Sequence, residues 1–327
     1  MYTGPPELTV GRAFTSWTLD LPVLLAVLAM AGLYLAGARR VRRAGDPWPV
    51  ARSVAFLAGG TGVLVLATMS FLGVYQGTLF WIRAVQTVLL LLVTPLFIAL
   101  GRPLSLYIAA LPGPGARARA VVGSRAARAL TFPAITALVL VIVPFLLYFT
   151  PWYEAGLRSD AVRELTYAAL LAPGLVFFWT LLRVDPVPRA YSYLVSMWVS
   201  GAEVVGDAVL GLAVIADQHL IAGSYYLALG RPWGPSLRAD QVLGGGALWI
   251  LGDLVGLPFL AAQLIQFIRE DEQEAAEVDA ALDAGAAERA AAGTATAGLT
   301  QAGAPDDHPW WETDARFTGR FRRPDGD

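Results

Sequence analysis

A chain of 327 residues that is 56% hydrophobic and only 15% charged lacks the polar faces that soluble helices need, and its charges gather between long apolar runs. The formal net charge of -2 sums basic connections with an acidic tail, so the distribution is informative and the total is not. There is no cysteine and every basic residue apart from His219 and His308 is an arginine, which excludes disulfides, thiolate metal sites, a cysteine nucleophile, and a Schiff-base or P-loop lysine.

Residues 1–20 show no basic, apolar and small-residue progression of a cleaved signal, so they are expected to be an extracytoplasmic segment ahead of a retained first helix. A membrane span needs about 20 mostly apolar residues at about 1.5 Å rise each. On that basis the chain divides into seven runs: Leu21–Ala38, Ser53–Val74, Leu79–Leu100, Phe132–Phe149, Leu165–Leu182, Tyr191–Ile215 and Gly244–Ile268. The expected fold is all-α, a polytopic seven-transmembrane-helix bundle over residues 21–268. Arg39, Arg40, Arg42, Arg43 and Arg52 flank the first connection, Arg102, Arg117, Arg119, Arg125 and Arg128 the third, and Arg183 and Arg189 the fifth. Arginine near helix ends favours the cytoplasm, which places the N-terminus outside and the C-terminus in the cytoplasm. Residues 269–327, acidic and rich in Ala and Gly, are expected to extend the last helix briefly and then form a mostly disordered cytoplasmic tail.

Small residues should let helices approach closely at Gly59, Gly60, Gly62, Gly206 and Gly211. Gly244, Gly245 and Gly246 are expected at the start of the seventh helix, flexible or closely packed. They lack the following Lys and Ser/Thr of a phosphate loop. The lipid bilayer is the expected surrounding, and nucleic acid is not an expected partner.

Ionisable groups inside hydrocarbon are costly and usually face a bundle interior. Glu203 and Asp207, four residues apart, share one face of the sixth helix. Arg83 enters the third helix ahead of Gln86 and Thr87, Arg163 opens the fifth with Glu164, Thr166 and Tyr167 nearby, and Asp253 lies in the seventh. Together Arg83, Thr87, Arg163, Tyr167, Glu203, Asp207 and Asp253 form a candidate polar cluster in the outer half. Three readings stand open. Arg83 or Arg163 pairs with Glu203 or Asp207 and pins the helices. Alternatively, Glu203, Asp207 and His219 hold a divalent metal, although one histidine and no cysteine make a poor copper or zinc set. In the third, the carboxylates carry protons or a cation during alternating access. No nucleophile with its base and no cofactor motif can be assembled, so an enzyme is not expected.

Particular strings go beyond composition. Pro95-Leu96-Phe97-Ile98-Ala99-Leu100-Gly101-Arg102-Pro103 closes the third run, and Asp240-Gln241-Val242-Leu243-Gly244-Gly245-Gly246-Ala247-Leu248-Trp249 opens the seventh. Pro95, Gly101, Pro103, Asp240, Gln241, Gly244, Gly245 and Trp249 in these strings resemble signatures of CtaG-like cytochrome c oxidase assembly factors. Pro151-Trp152-Tyr153-Glu154-Ala155-Gly156-Leu157 resembles an outer loop of that family, and the resemblance runs from Pro49 to Arg269. It implies a multi-pass bacterial plasma-membrane protein that helps assemble a haem-copper oxidase, linked to copper insertion, with oxidase subunits or other assembly factors as partners. The alternative is a transporter or channel for copper, protons or a small solute. The resemblance also implies histidine pairs spaced four apart on helices three and five. Here those positions are Arg83 with Thr87 and Arg163 with Tyr167, and a further histidine position is Phe149. In such a diverged member, Arg83 and Arg163 are expected to form an ion-pair network with Glu203, Asp207 or Asp253, and the chain is expected to act by binding partners.

Overall fold

The computed structural model describes residues 2–188 and 193–297, and every regular element among them is helical. In chain order these are α1 (Val10–Thr15), α2 (Leu21–Arg43), the helical run α3 (Val50–Tyr75), α4 (Phe80–Ala110), α5 (Pro112–Val122), α6 (Arg125–Leu130), α7 (Pro133–Phe149), α8 (Trp152–Arg158), α9 (Asp160–Leu182), α10 (Tyr193–Ala216), α11 (Gly223–Leu229) and α12 (Leu237–Ala297). Six of them, α2, α3, α4, α9, α10 and α12, are long and apolar enough to cross a membrane. The pair α7 and α8, bent by 67° between them, makes a seventh span if it crosses as one.

The starts follow from local chemistry. Asp20 accepts from the Val23 amide at 3.2 Å and Pro22 sits in the first turn of α2, so orphan amides are satisfied where the apolar run begins. Ser159 caps α9 in the same way. The last turns of α2 carry Arg40, Arg42 and Arg43, which suit the negative end of a helix dipole.

Two elements run past the expected apolar runs. After Gly101 the chain takes a left-handed step at Arg102, with φ 52°, and Pro103 restarts the helix of α4. Asp185 accepts from the Leu104 amide at 3.1 Å and the Ser105 amide at 2.8 Å, capping that restart from a distant connection. At the other site, α12 begins at Leu237, not at Gly244. The three glycines therefore lie inside a helix. The polar residues Arg238, Asp240 and Gln241, which precede the expected run Gly244–Ile268, form its first turns because each bonds to a group outside α12.

α4 is the central helix. In its most apolar stretch 67% of residues are buried within the protein, against 22% for α2. Its Ile82, Leu90 and Leu92 are fully buried. Both α3 and α4 contain π-helical segments, Ala55–Gly62 and Leu89–Val93. Gly59 and Gly60 of α3 lie against Phe97 and Ile98 of α4, where any side chain would collide.

The chain divides into two units, Met1–Ile268 and Arg269–Asp327. The second is described to Ala297 as helix, with Val278 and Leu282 exposed. The remainder of the expected tail, residues 298–327, lies outside the described residues.

Candidate functional site

Two ends of the bundle are named here by Gln76 and by Arg102. At the Gln76 end, Arg83 stands one turn into α4 and is 2% exposed. It donates to Gln76 Oε1 at 3.2 Å, and the Tyr167 hydroxyl donates to the same oxygen at 2.8 Å. Gln76 Nε2 is fixed by the Gly73 carbonyl at 3.0 Å, which sets the orientation of the amide. The guanidinium lies over the Tyr153 ring, 5.3 Å from its centroid, a cation–π contact. Thr87 Oγ1 donates to the Arg83 carbonyl at 2.9 Å and lies 3.0 Å from the Tyr148 hydroxyl, which is thereby the donor of that second bond. The Tyr153 and Tyr226 hydroxyls share a hydrogen bond at 2.9 Å. Burial pushes the Tyr226 phenol pKa up, keeping it neutral.

The structure thus brings Arg83, Thr87 and Tyr167 together around Gln76. Sequence reasoning missed the hub because Gln76 falls in the short connection between two apolar runs, where a polar residue carries no signal. Arg83 Nε has no hydrogen-bond partner, and no carboxylate pairs with the guanidinium among the described residues. A cation buried against one neutral amide oxygen and one ring face is costly to keep out of water.

The expected ion-pair network is not what forms. Arg163 pairs with Asp160 at 2.6 Å and lies 3.6 Å from Glu164, both on its own helix α9, because neighbours along a helix reach it first. It lines a cavity of about 410 Å³ with Asp20, Gln76 and Glu164. Glu203 and Asp207 instead face α12. Glu203 is 2% exposed, and a Cβ on Gly256 would stand 2.9 Å from its Oε2, while one on Gly252 would collide with Asp207 Oδ2. Asp253 is within electrostatic range of both acids. Glu203 Oε2 and Asp253 Oδ1 have no hydrogen-bond partner. The seven residues expected as one cluster therefore occupy two seams, one around α4, α8 and α9 and another between α10 and α12.

The signature strings hold helices to one another. Asp240 accepts from the Phe80 amide at 3.2 Å and the Trp81 amide at 3.0 Å, capping α4 from α12. The same carboxylate is paired with Arg231 at 3.1 Å, both side chains being almost fully buried. Arg231 also donates to the Trp233 carbonyl at 2.6 Å and the Pro235 carbonyl at 2.8 Å. Gln241 accepts from the Ile221 amide at 2.9 Å and donates to the Val214, Asp217 and His219 carbonyls, so one side chain organises the turn after α10. Gly244 lies against the Phe80 ring, and Gly245 against the Gly211 backbone beside Trp249. At the Arg102 end, Gly101 abuts Phe56 and its carbonyl accepts from the Tyr34 hydroxyl at 2.7 Å, while Pro95 packs on Gly174.

The donor set does not fit copper. Among the described residues no three His, Asp or Glu side chains converge as metal ligands. His219 has a 97% exposed side chain and lies 3.4 Å from Asp217, whereas Glu203 is buried. Copper favours imidazole and sulfur, and neither lines these seams.

No solved structure matches the chain. Uncharacterized proteins of Mycobacterium bovis and Mycobacterium tuberculosis are each 31% identical to it over 287 residues, an alignment covering 85% of this chain and 43% of theirs. One of Mycobacterium leprae is 29% identical over 286 residues with the same coverage. The chain thus spans less than half the length of these curated relatives. The Caa3_CtaG family, described as cytochrome c oxidase caa3 assembly factors, matches residues 32–270, so its match takes in all of the candidate spans in whole or in part. The chain belongs to the cytochrome c oxidase caa3 assembly factor family.

Proposed function

We propose that this chain is a membrane-embedded assembly factor for a haem-copper cytochrome c oxidase of a bacterial plasma membrane, and that it acts by holding partners and not by catalysis. The family match over residues 32–270 carries this reading. The geometry supports it in one respect. Asp240 fixes the first turn of α4, and that turn positions Phe80 and, one turn on, Arg83, whose guanidinium meets no carboxylate among the described residues. A signature residue thereby frames a buried cation that needs a counterpart. The arginine distribution supports an extracytoplasmic Gln76 end. Any contribution to copper insertion is then exercised through oxidase subunits or other assembly factors, since the donor set among the described residues does not fit the metal. The test is a strain lacking the chain, complemented with wild type or with Arg83→Met. Loss of haem a absorbance and oxidase copper in the deletion, restored by wild type alone, supports the reading.

A second reading, a transporter or channel for copper, protons or a small solute, is favoured by one observation. Glu203, Asp207 and Asp253 lie between two spans with no basic partner among the described residues. Proteoliposomes loaded with a pH-sensitive dye test it. A proton flux abolished by Glu203→Gln with Asp207→Asn supports transport, and no flux above empty vesicles counts against it.

A further inference from the structure

At the Arg102 end, between α2 and the last part of α4, lies a trough of about 370 Å³. Small-molecule sites occupy roughly 300–1,000 Å³. Its floor is apolar and already satisfied. The Tyr34 and Phe56 rings stack with centroids 4.1 Å apart, and the Tyr34 hydroxyl donates to the Gly101 carbonyl at 2.7 Å while accepting from Trp48 Nε1 at 3.2 Å. Gly37 opens the wall facing Leu106, where a Cβ would come within 3.2 Å of Leu106 Cγ. The Tyr34 hydroxyl in the floor is therefore already satisfied.

Besides Tyr34, two side chains with polar groups line it, Arg40 and Tyr107. Arg40 is exposed and its guanidinium makes no hydrogen bond or ion pair among the described residues, and the Tyr107 hydroxyl likewise has none. No carboxylate lines the trough. Arg39 and Arg43 in the same turns of α2, and Arg102 beside Pro103, also pair with no acid among the described residues. The site therefore offers an apolar slot with a cation and a hydroxyl donor, inside a field of further positive charge.

That combination selects a ligand with a hydrocarbon tail and an anionic head. We propose that the trough seats an acyl chain of an anionic phospholipid whose phosphate is held by the Arg40 guanidinium and the Tyr107 hydroxyl. Guanidinium matches phosphate oxygens with two parallel donors, and basic pockets between spans are known to favour anionic headgroups. A zwitterionic phospholipid offers the same tail and phosphate, but its ammonium would stand among Arg39, Arg43 and Arg102. Charge thus separates the two lipid classes where the tail cannot.

The test uses the full chain in mild detergent, with native mass spectrometry counting retained lipid after equilibration with phosphatidylglycerol or phosphatidylcholine. Wild type is expected to retain one phosphatidylglycerol per chain in preference to phosphatidylcholine by about fivefold or more. Arg40→Gln should bring the two lipids to near parity, and Tyr107→Phe should lower phosphatidylglycerol retention with the fold intact. Ala36→Phe, filling the trough from its exposed wall, should remove retained lipid of both kinds. Arg119→Gln, a basic residue outside the trough, should leave the preference unchanged. Equal retention of both lipids by wild type, an unaltered preference in Arg40→Gln, or an equal loss in Arg119→Gln would overturn the assignment.

Discussion

Gly211 of α10 and Gly245 of α12 meet backbone to backbone. A Cβ on Gly211 would stand 2.6 Å from the Gly245 carbonyl oxygen, and one on Gly245 would stand 2.7 Å from that of Gly211. Glu203, Asp207 and Gly211 recur every four residues along one face of α10, and Gly245, Trp249, Gly252 and Gly256 recur at helical spacing along the facing stripe of α12. The close approach that the glycines permit is what seals the two acids between the helices.

Gly245→Leu is therefore expected to destabilise the bundle more than an equivalent change at Gly246, whose Cβ would meet nothing within 4 Å. Overpacking of this kind costs about 1–3 kcal/mol. Thermal unfolding in detergent checks it: the melting temperature should fall clearly for Gly245→Leu and little for Gly246→Leu.

Asp240 and Arg231 form a buried pair, so removing one member should hurt more than removing both. Asp240→Ala leaves a buried guanidinium and two uncapped amides, a loss of about 3–5 kcal/mol. The double variant Asp240→Ala with Arg231→Met is expected to recover part of that loss, as read from chemical denaturation of all four proteins in a double-mutant cycle. Additive losses would show that the pair is not coupled.

Arg83 behaves in the opposite sense, because among the described residues it has no acid to lose. Arg83→Met removes a buried cation and keeps the length of the side chain, so stability is expected to hold or to rise by about 1 kcal/mol. If the cation serves a partner, the same variant fails to restore oxidase in a deletion strain. A protein of wild-type stability without activity separates the functional role from a structural one.

Glu203→Gln with Asp207→Asn keeps shape and removes charge from a seam where no basic partner was found among the described residues. The double amide variant is expected to fold with a melting temperature at or above that of wild type, whereas Gly252→Ala, whose methyl would collide with Asp207 Oδ2, should lower it. Circular dichroism on heating distinguishes the two.

The seven apolar runs were legible because lipid leaves a strong compositional record, and each run lies in a helix or largely within one. The beginning of α12 was not, since Leu237–Leu243 mixes Arg238, Asp240 and Gln241 with apolar residues, and their helical state depends on partners in α4 and the turn after α10. The continuation of α4 past Arg102 rests on Asp185, some 80 residues away in sequence. In the site, the four-residue spacing did place Glu203 and Asp207 on one face. Their assignment to Arg83 or Arg163 did not hold, because charge complementarity in a sequence says nothing about which seam a side chain enters. Here Gly252 and Gly256 draw the acids to α12, and Gln76 and Tyr153 hold Arg83 elsewhere. The strings around Gly101 and Asp240 identified the family, and the structure gives their residues the task of joining helices.

The central claim, that this chain assists assembly of a haem-copper oxidase by holding partners, is tested most directly by the haem a absorbance of membranes from a strain that lacks it. The account predicts a reduced haem a band and reduced oxidase copper, both restored by wild type and not by Arg83→Met. An unchanged band with full copper content in the deletion strain would contradict it.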